Sequence, residues 1–349
     1  MKIGIHNDNK SYSVRWIEYC KERSIDYKEV NCFEDNIIEQ LNDCDALLWH
    51  YYHNDYRSQL FAKQLLFALE QSGKVVFPNF RTGWHFDDKV GQKYLYESLG
   101  IKVPSTNIFY TREEALKWIS TATFPKVFKL RKGASGSNVR LVRNYRMAQK
   151  LINKSFKNGH PQFNRWGYFK NRLNLFRNQK DSLFGVMKGF LRLFVPTQQE
   201  RMTTPEKSYI FFQDYVPNEG FDYRIEIVGD YCIAAVRYVR KNDFRASGGH
   251  DDHFDKEFIS KEVLDFAFDI YDKIKAQSCA LDIIRNCETN ELVLIENSYC
   301  YGLDDDEFLH GFWDRSGKWH NESFDGRDWM IETVINEILH KKNQIIGVK

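Results

Sequence analysis

The stretch CALDIIRNCETNELVLIEN, residues 279–297, reads as two apolar strands joined by the polar turn RNCETN. A hairpin symmetric about Thr289 sets Asp282 directly opposite Glu296. Opposed residues on one face of such a pair have Cβ atoms about 4.5–5.5 Å apart. Two carboxylates that close repel unless a cation lies between them, and hard oxygen donors favour Mg²⁺, usually shared with phosphates. Each acid also sits in an apolar run, Asp282 after CAL and Glu296 after LVLI, where burial without compensation is costly. The plainer alternative is a pair of edge-strand acids facing water.

Upstream, DYRIEIVG and YCIAAVRYVR form a second hairpin around Gly229-Asp230, preceded by the strand YIFFQDYV. Successive hairpins imply an antiparallel sheet, closed by the helix GRDWMIETVINEILHKK. Arg224 and Arg237 lie in these strands and Arg245 in NDFRASGGH. Guanidinium groups directed into a cleft grip phosphate oxygens in a fork and stabilise charge in a transferring phosphoryl group. Ordinary surface arginines are the other reading of each one singly.

Further back, the strand KVFKL puts Val127 and Lys129 on one face and runs into RKGASGSNV. There Gly133 and Gly136 let backbone amides approach an anion, and Ser135 and Ser137 add hydroxyl donors, as in a phosphate nest. Neither the G-x-x-x-x-G-K-[ST] nor the G-x-G-x-x-G pattern is present, and a flexible hairpin turn fits the same residues.

The first hundred residues alternate strand and helix, which implies a mostly parallel sheet with helices on its faces. In FDDKVGQKYLYESLGIKVPST, Asp87 or Asp88 caps a helix that Gly100 ends and Pro104 keeps from resuming. Residues 104–142 give a small α+β lobe, and 145–205 a basic, aromatic, helical insertion. Between 154 and 194 there are nine Lys/Arg and one acid, Asp181, so a chain with 50 basic and 48 acidic residues is net acidic elsewhere. In SLFGVMKGFLRLFV, Lys188 and Arg192 lie one turn apart on an apolar segment, as in an interfacial helix; helices packed on the small lobe with solvated basic faces are the alternative.

A chain of 349 residues with 42% apolar and 28% charged residues suits two or three packed, soluble domains. Seven cysteines without a CxxC pair suit reduced thiols in a cytosolic protein. MKIGIHND reads as a first strand rather than a signal peptide, and no run approaches the roughly 18 apolar residues of a membrane span. GGHDDHFD, with His250 and His253, reads as a solvated loop, because two ligands cannot close a zinc site.

Taken in order, DDK opening a helix that ends GIKVPST, then FPKVFKLRKGASGSNV, FFQDYVPNEGFDYRI, AAVRYVRKNDFRASGG and ALDII…LVLIEN resemble the ATP-grasp superfamily. Within it they are similar to carboxylate-amine ligases such as D-alanine ligases and the peptide-tail ligases that modify ribosomal proteins. The resemblance covers roughly residues 75–145 and 208–302. It implies an ATP-grasp fold of α/β and α+β class: an N-terminal parallel α/β domain (1–103), a small α+β lid lobe (104–208) carrying the insertion, and an antiparallel C-terminal lobe (209–349) with the metal site.

Residue by residue, the resemblance implies that Lys89 and Lys129 hold ATP phosphates, with Lys129 also near the adenine. The loop from Gly133 to Asn138, with Ser135, Gly136 and Ser137, becomes the lid over the β- and γ-phosphates. Gln213, Asp214, Tyr215 and Val216 become the linker that reads the adenine edge, with Asp222, or else Glu219, on the ribose. Arg224, Arg237 and Arg245 face the γ-phosphate or an acyl phosphate, and Asp282 and Glu296 are magnesium ligands. The family's Asn two residues after the metal Glu is Ser298 here, next to Asn297. Either the serine hydroxyl replaces the amide or the register shifts by one.

The implied cofactors are ATP and two Mg²⁺ ions, and the implied reaction is an ADP-forming ligation of a small or polymer-linked carboxylate to an amine. No protein nucleophile is required. A hydroxyl-phosphorylating kinase and a nucleotide-binding module without turnover are the alternatives. The resemblance suits a cytoplasmic protein, monomer or homodimer, and residues 154–194 suit contact with an anionic polymer or a membrane surface. Basic charge and aromatics alone make no recognisable nucleic-acid module.

Overall fold

Apolar strands alternating with amphipathic helices build the first layer: β1 (Lys2–His6), α1 (Ser13–Glu22), β2 (Asp26–Val30), α2 (Ile37–Gln40), β3 (Ala46–Leu48), α3 (Tyr56–Gln71) and β4 (Val75–Phe77). The structure, a computed structural model, describes residues 1–53, 55–133, 136, 138–177, 181–196, 198–240, 243–246, 252–302 and 310–347. The four strands form the expected parallel sheet in the order β2-β1-β3-β4. Helix α1 buries Trp16, Ile17 and Cys20 against it, and Asp55 caps α3 by accepting the Arg57 N–H.

After α4 (Phe80–Gly83), helix α5 (Lys89–Ser98) begins at Asp88, which accepts the Gly91 N–H at 2.9 Å. Of the two candidate caps Asp88 is therefore the one used, while Asp87 accepts the Gly133 N–H at 2.8 Å. Gly100 ends the helix at φ +60°, a conformation that glycine adopts without Cβ strain.

The small lobe contains β5 (Thr106–Phe109), α6 (Arg112–Ile119), β6 (Lys126–Lys129), β7 (Val139–Val142) and α7 (Tyr145–Ser155). Helix α7 falls inside the segment read as an insertion, yet its Ala148 and Ile152 pack with Phe128 and Phe212 in the lobe's core. The excursion itself holds α8 (Arg165–Arg177), α9 (Leu183–Leu191) and α10 (Gln198–Met202). Its two ends are joined by reciprocal backbone bonds, His160 N–H to Glu206 O at 2.8 Å and Glu206 N–H to His160 O at 2.9 Å.

Strand β8 (Ile210–Asp214) corrects the boundary drawn at residue 208. The boundary at 208 groups it with the C-terminal lobe, but it lies centrally in the small sheet, whose order is β5-β8-β6-β7. The cause is register: it pairs along its length with β5 on one side and β6 on the other.

The large sheet comprises β9 (Phe221–Val228), β10 (Tyr231–Tyr238), β11 (Asp252–His253), β12 (Ser278–Arg285), β13 (Leu292–Ser298), β14 (Phe312–Asp314) and β15 (Trp319–His320). His253 is thus part of a two-residue strand on β10 rather than a free loop, and His250 lies outside the described residues. Helix α11 (Lys261–Ile274) covers one face of the sheet through Val263, Ala267, Ile270 and Ile274. The C-terminal helix α12 (Gly326–Gly347) instead packs Met330, Ile331, Val334 and Ile338 into the core of the N-terminal sheet. The last stretch of the chain therefore closes the first layer, a second departure from the 209–349 lobe.

Asp282 and Glu296 are Cα partners, as the hairpin symmetry predicts. The residues nearer the turn pair one step differently, Ile283 with Leu294 and Arg285 with Leu292, so symmetry about Thr289 ends at a β-bulge. Ile295 is the extra residue, and such bulges bend a strand and re-aim its side chains.

Candidate active site

Three adjacent strands set the polar centre. Arg224 on β9 is the Cα partner of Asp282 on β12, which in turn opposes Glu296 on β13. Asp282 accepts from Arg224 at 2.6 Å and lies 2.9 Å from Arg237 Nη2. Arg237 also donates twice to Asp222, at 2.8 and 2.9 Å, and Arg224 donates to Glu226 at 3.0 Å. Burial opposes ionisation of Asp282, but Arg237 and Arg224 outweigh it and hold its carboxyl below the usual range. Burial and the Asp282 charge push Asp222 up, and burial also pushes Glu226 up. Glu226 Oε2 has no hydrogen-bond partner among the described residues.

The lysines approach from the other side. Lys89, at the start of α5, donates to Glu296 at 2.9 Å and to the Gly133 carbonyl at 2.8 Å. Burial lowers its pKa, but Glu296 and Asp87 more than offset this and leave it raised. Lys129, at the end of β6, is 5% exposed. Among the described residues its Nζ makes no hydrogen bond, and burial pulls its pKa down to about 8.

The glycine loop is tied at both ends. The Glu206 carboxylate accepts the N–H groups of Arg131 and Lys132 at 2.9 and 3.1 Å, and Asp87 accepts that of Gly133. Arg245 donates to the Gly136 carbonyl at 2.6 Å, so the loop after β10 meets the glycine loop directly. Ser135 and Ser137 lie outside the described residues.

These groups surround one cavity of about 440 Å³, within the range of small-ligand sites. Val127, Val139, Val216, Ile284 and Ile295 line an apolar slot in it. Gln213, Asp214 and Tyr215 border that slot; Gln213 bonds Thr106 at 3.2 Å and Asp214 pairs with Lys126 at 2.6 Å. Asp222 lines the cavity with both carboxylate oxygens on Arg237, while Glu219 is exposed and absent from the lining. Tyr52, His53 and Asp87 from the first layer and Tyr301 complete the lining.

Among the described residues no cluster of three His, Cys, Asp or Glu is arranged to hold a metal. The all-oxygen set that fits a hard cation is Asp282 and Glu296, with the Ser298 hydroxyl on the same face. Asn297 is turned away: its amide donates to Cys279 Sγ at 3.3 Å and accepts from Tyr96 at 2.6 Å. Ser298 shares the face of the pair by strand alternation, and its hydroxyl donates to the Cys300 carbonyl at 2.9 Å and accepts the Cys300 N–H at 3.2 Å.

Sequence reading missed Lys126, Asn218, His53 and Glu226. Glu226 carried the same signal that singled out Asp282, an acid inside an apolar run, RIEIV. The others carried none.

Residues 189–305 match the family model of the RimK-like ATP-grasp domain. No curated protein matches the sequence. Among solved structures, the D-alanine–D-alanine ligase from Bacillus anthracis shares 13% identity over 99% of both chains with a TM-score of 0.56. A structure of that ligase complexed with ATP gives 12% identity over 99% of both chains and a TM-score of 0.55. The ATP-grasp ligase PsnB complexed with minimal precursor shares 13% identity, covering 96% of this chain and 98% of its own, with a TM-score of 0.53. A RimK domain ATP-grasp protein from Sphaerobacter thermophilus shares 13% identity over 87% of this chain and 92% of its own, with a TM-score of 0.50. The chain has the ATP-grasp fold, and residues 189–305 within it match the RimK-like ATP-grasp domain.

Proposed function

We propose that the protein is an ATP-dependent ligase that joins a carboxylate to an amine and releases ADP and phosphate. One convergence carries the reading: Lys89, Lys129, Arg224, Arg237 and Arg245 line the same cavity as the opposed acids Asp282 and Glu296. Bringing an anionic carboxylate to an anionic triphosphate is the physical obstacle in such a reaction, and converging cations lower it. The apolar slot between Val127 and Ile284 would take the adenine, with the backbone of 214–216 at its edge. Lys89 and Lys129 would hold the phosphates, and the loop around Gly136 would cover them. Asp282 and Glu296, with Ser298, would hold Mg²⁺, which when bound neutralises phosphate charge.

A carboxylate oxygen of the substrate attacks the γ-phosphorus, and the bond to the β-phosphate oxygen breaks to release ADP. The amine then attacks the acyl carbon, phosphate departs with the bonding pair, and the nitrogen loses a proton. Arg224 and Arg237 would stabilise the charge that develops on the transferred group. The acceptor end, with Tyr52, His53 and Tyr301, would seat the carboxylate-bearing substrate, small or polymer-linked.

Phosphate release from ATP across a panel of acids, with hydroxylamine as the amine, tests the reading. Acid-dependent hydroxamate is the expected product. A stable phosphorylated alcohol would point to a kinase, and ATP binding without turnover across the panel to a nucleotide-binding module; either would overturn the ligase.

The lid assignment has its own test. Gly136 has φ +64°, which proline, fixed near −65°, cannot adopt. Gly136→Pro should lower ATP turnover by about 100-fold, while a strained backbone confined to one half-buried loop position should cost about 1–3 kcal/mol of stability and leave the fold intact. Phosphate-release kinetics and thermal unfolding measure the two effects.

A further inference from the structure

Helix α9 is packed inside out for a helix of a small lobe. Its buried residues are Gly185 and Gly189, and a Cβ on Gly189 would lie 3.3 Å from the Arg172 side chain of α8. The large apolar residues face away. Leu183, Phe184, Met187, Phe190 and Leu191 are all exposed, Phe184 at 74%, and Phe194 and Val195 continue the patch beyond the helix. At 100° per residue the five within α9 fall inside about 120° of the wheel, one continuous stripe on the side opposite the glycines. An exposed stripe of this size marks an interaction surface rather than a scatter of surface residues.

The charge around the stripe selects its partner. The acids nearest it are already neutralised: Asp181 pairs with Arg172 at 2.9 Å and Glu200 with Arg165 at 2.6 Å. Lys170, Arg177, Lys188 and Arg192 make no ion pair among the described residues; by helical geometry Lys188 borders the stripe on α9, and Arg192, the C-cap residue, lies one turn on, towards the glycine face. A second copy of the chain would bring the same cations face to face. A soluble anionic polymer would account for the cations but leave the phenylalanine and leucine side chains in water. An anionic lipid surface satisfies both, and no helix among the described residues is long and apolar enough to cross a membrane.

We propose that α9, carried on α8, is an interfacial element that docks the protein on a bilayer containing anionic lipid, with Leu183, Phe184, Met187, Phe190 and Leu191 entering the headgroup boundary, Lys188 at its border meeting the lipid phosphates, and Arg192, Lys170 and Arg177 adding to the positive field that draws the segment to the surface. None of these side chains lines the cleft, so the inference stands apart from the ligase reading.

Flotation of the full-length protein with vesicles tests it, using phosphatidylcholine alone and phosphatidylcholine mixed with phosphatidylglycerol. Binding to the mixed vesicles and little to the neutral ones is expected. Phe184→Ser with Leu191→Ser should weaken it by about 30-fold or more. Lys188→Gln with Arg192→Gln should weaken it by about 10-fold or more and flatten its salt dependence. All four positions are at the surface, and an unchanged circular dichroism spectrum and melting temperature would show that the variants fold. Equal binding to neutral vesicles, no binding to either, or binding unaffected by the serine pair would overturn the proposal. So would sedimentation showing a dimer that the serine pair dissociates.

Discussion

Asp282→Asn and Glu296→Gln are each expected to lower ATP turnover by about 100- to 1,000-fold, the scale on which single preorganised electrostatic groups act. The two variants should differ in stability. Asp282 is the shared acceptor of Arg224 and Arg237 in a buried row, and removing one partner from such a set leaves charge uncompensated. The cost is about 3 kcal/mol, the lower end for a broken buried pair, because Glu226 and Asp222 still face the two arginines. Glu296 is less enclosed and, among the described residues, holds Lys89 alone, so its change should cost about 1 kcal/mol. Phosphate-release assays and denaturant unfolding read the two quantities. Full turnover in both variants would sink the assignment of this pair as the metal and phosphate centre.

Lys129→Met is expected to do the reverse: ATP affinity should fall by about 100-fold, while the protein without nucleotide unfolds at the same temperature or a higher one. The reason is burial, which draws the Lys129 pKa down from its ordinary 10.5 to about 8. Between those values the unfolded chain binds more protons than the folded one, so stability rises with pH across that window. The burden of the buried ammonium is full below about pH 8 and is relieved as pH climbs towards 10.5. A triphosphate placed against Lys129 restores its charge. Binding of ATP should therefore take up a proton near pH 8 and weaken above it, and the methionine variant should lose that dependence. Calorimetry in buffers of different ionisation heat measures the uptake; uptake unchanged in the variant would rule Lys129 out as its source.

What the sequence revealed was local. Strand and helix alternation, the caps at Asp88 and Gly100, the Gly229-Asp230 turn and the opposition of Asp282 to Glu296 all follow from neighbours within about twenty residues. What it hid was partnership at distance. The alternation in β8 says that it is a strand but not which strands lie beside it, so its place in the small sheet was out of reach. The bulge at Ile295 adds one apolar residue to an apolar run and leaves no mark in composition. Asp222 could be seen as an acid near the cleft; that Arg237 from the facing strand takes both its oxygens could not.

The reciprocal bonds between His160 and Glu206 make the excursion a closed loop on the small lobe. The path leaves the small lobe and returns to it at one point, and the core beneath, from Phe128 to Ile152 and Phe212, closes without residues 161–205. Loop length adds only logarithmically to the entropy of such a closure, so an excursion of any size can be spliced in there at modest cost. The helical hairpin is therefore a cassette, separable from the small lobe without repacking its core. Glu206 is the residue its removal must spare, because the same residue that latches the cassette shut also anchors the glycine loop.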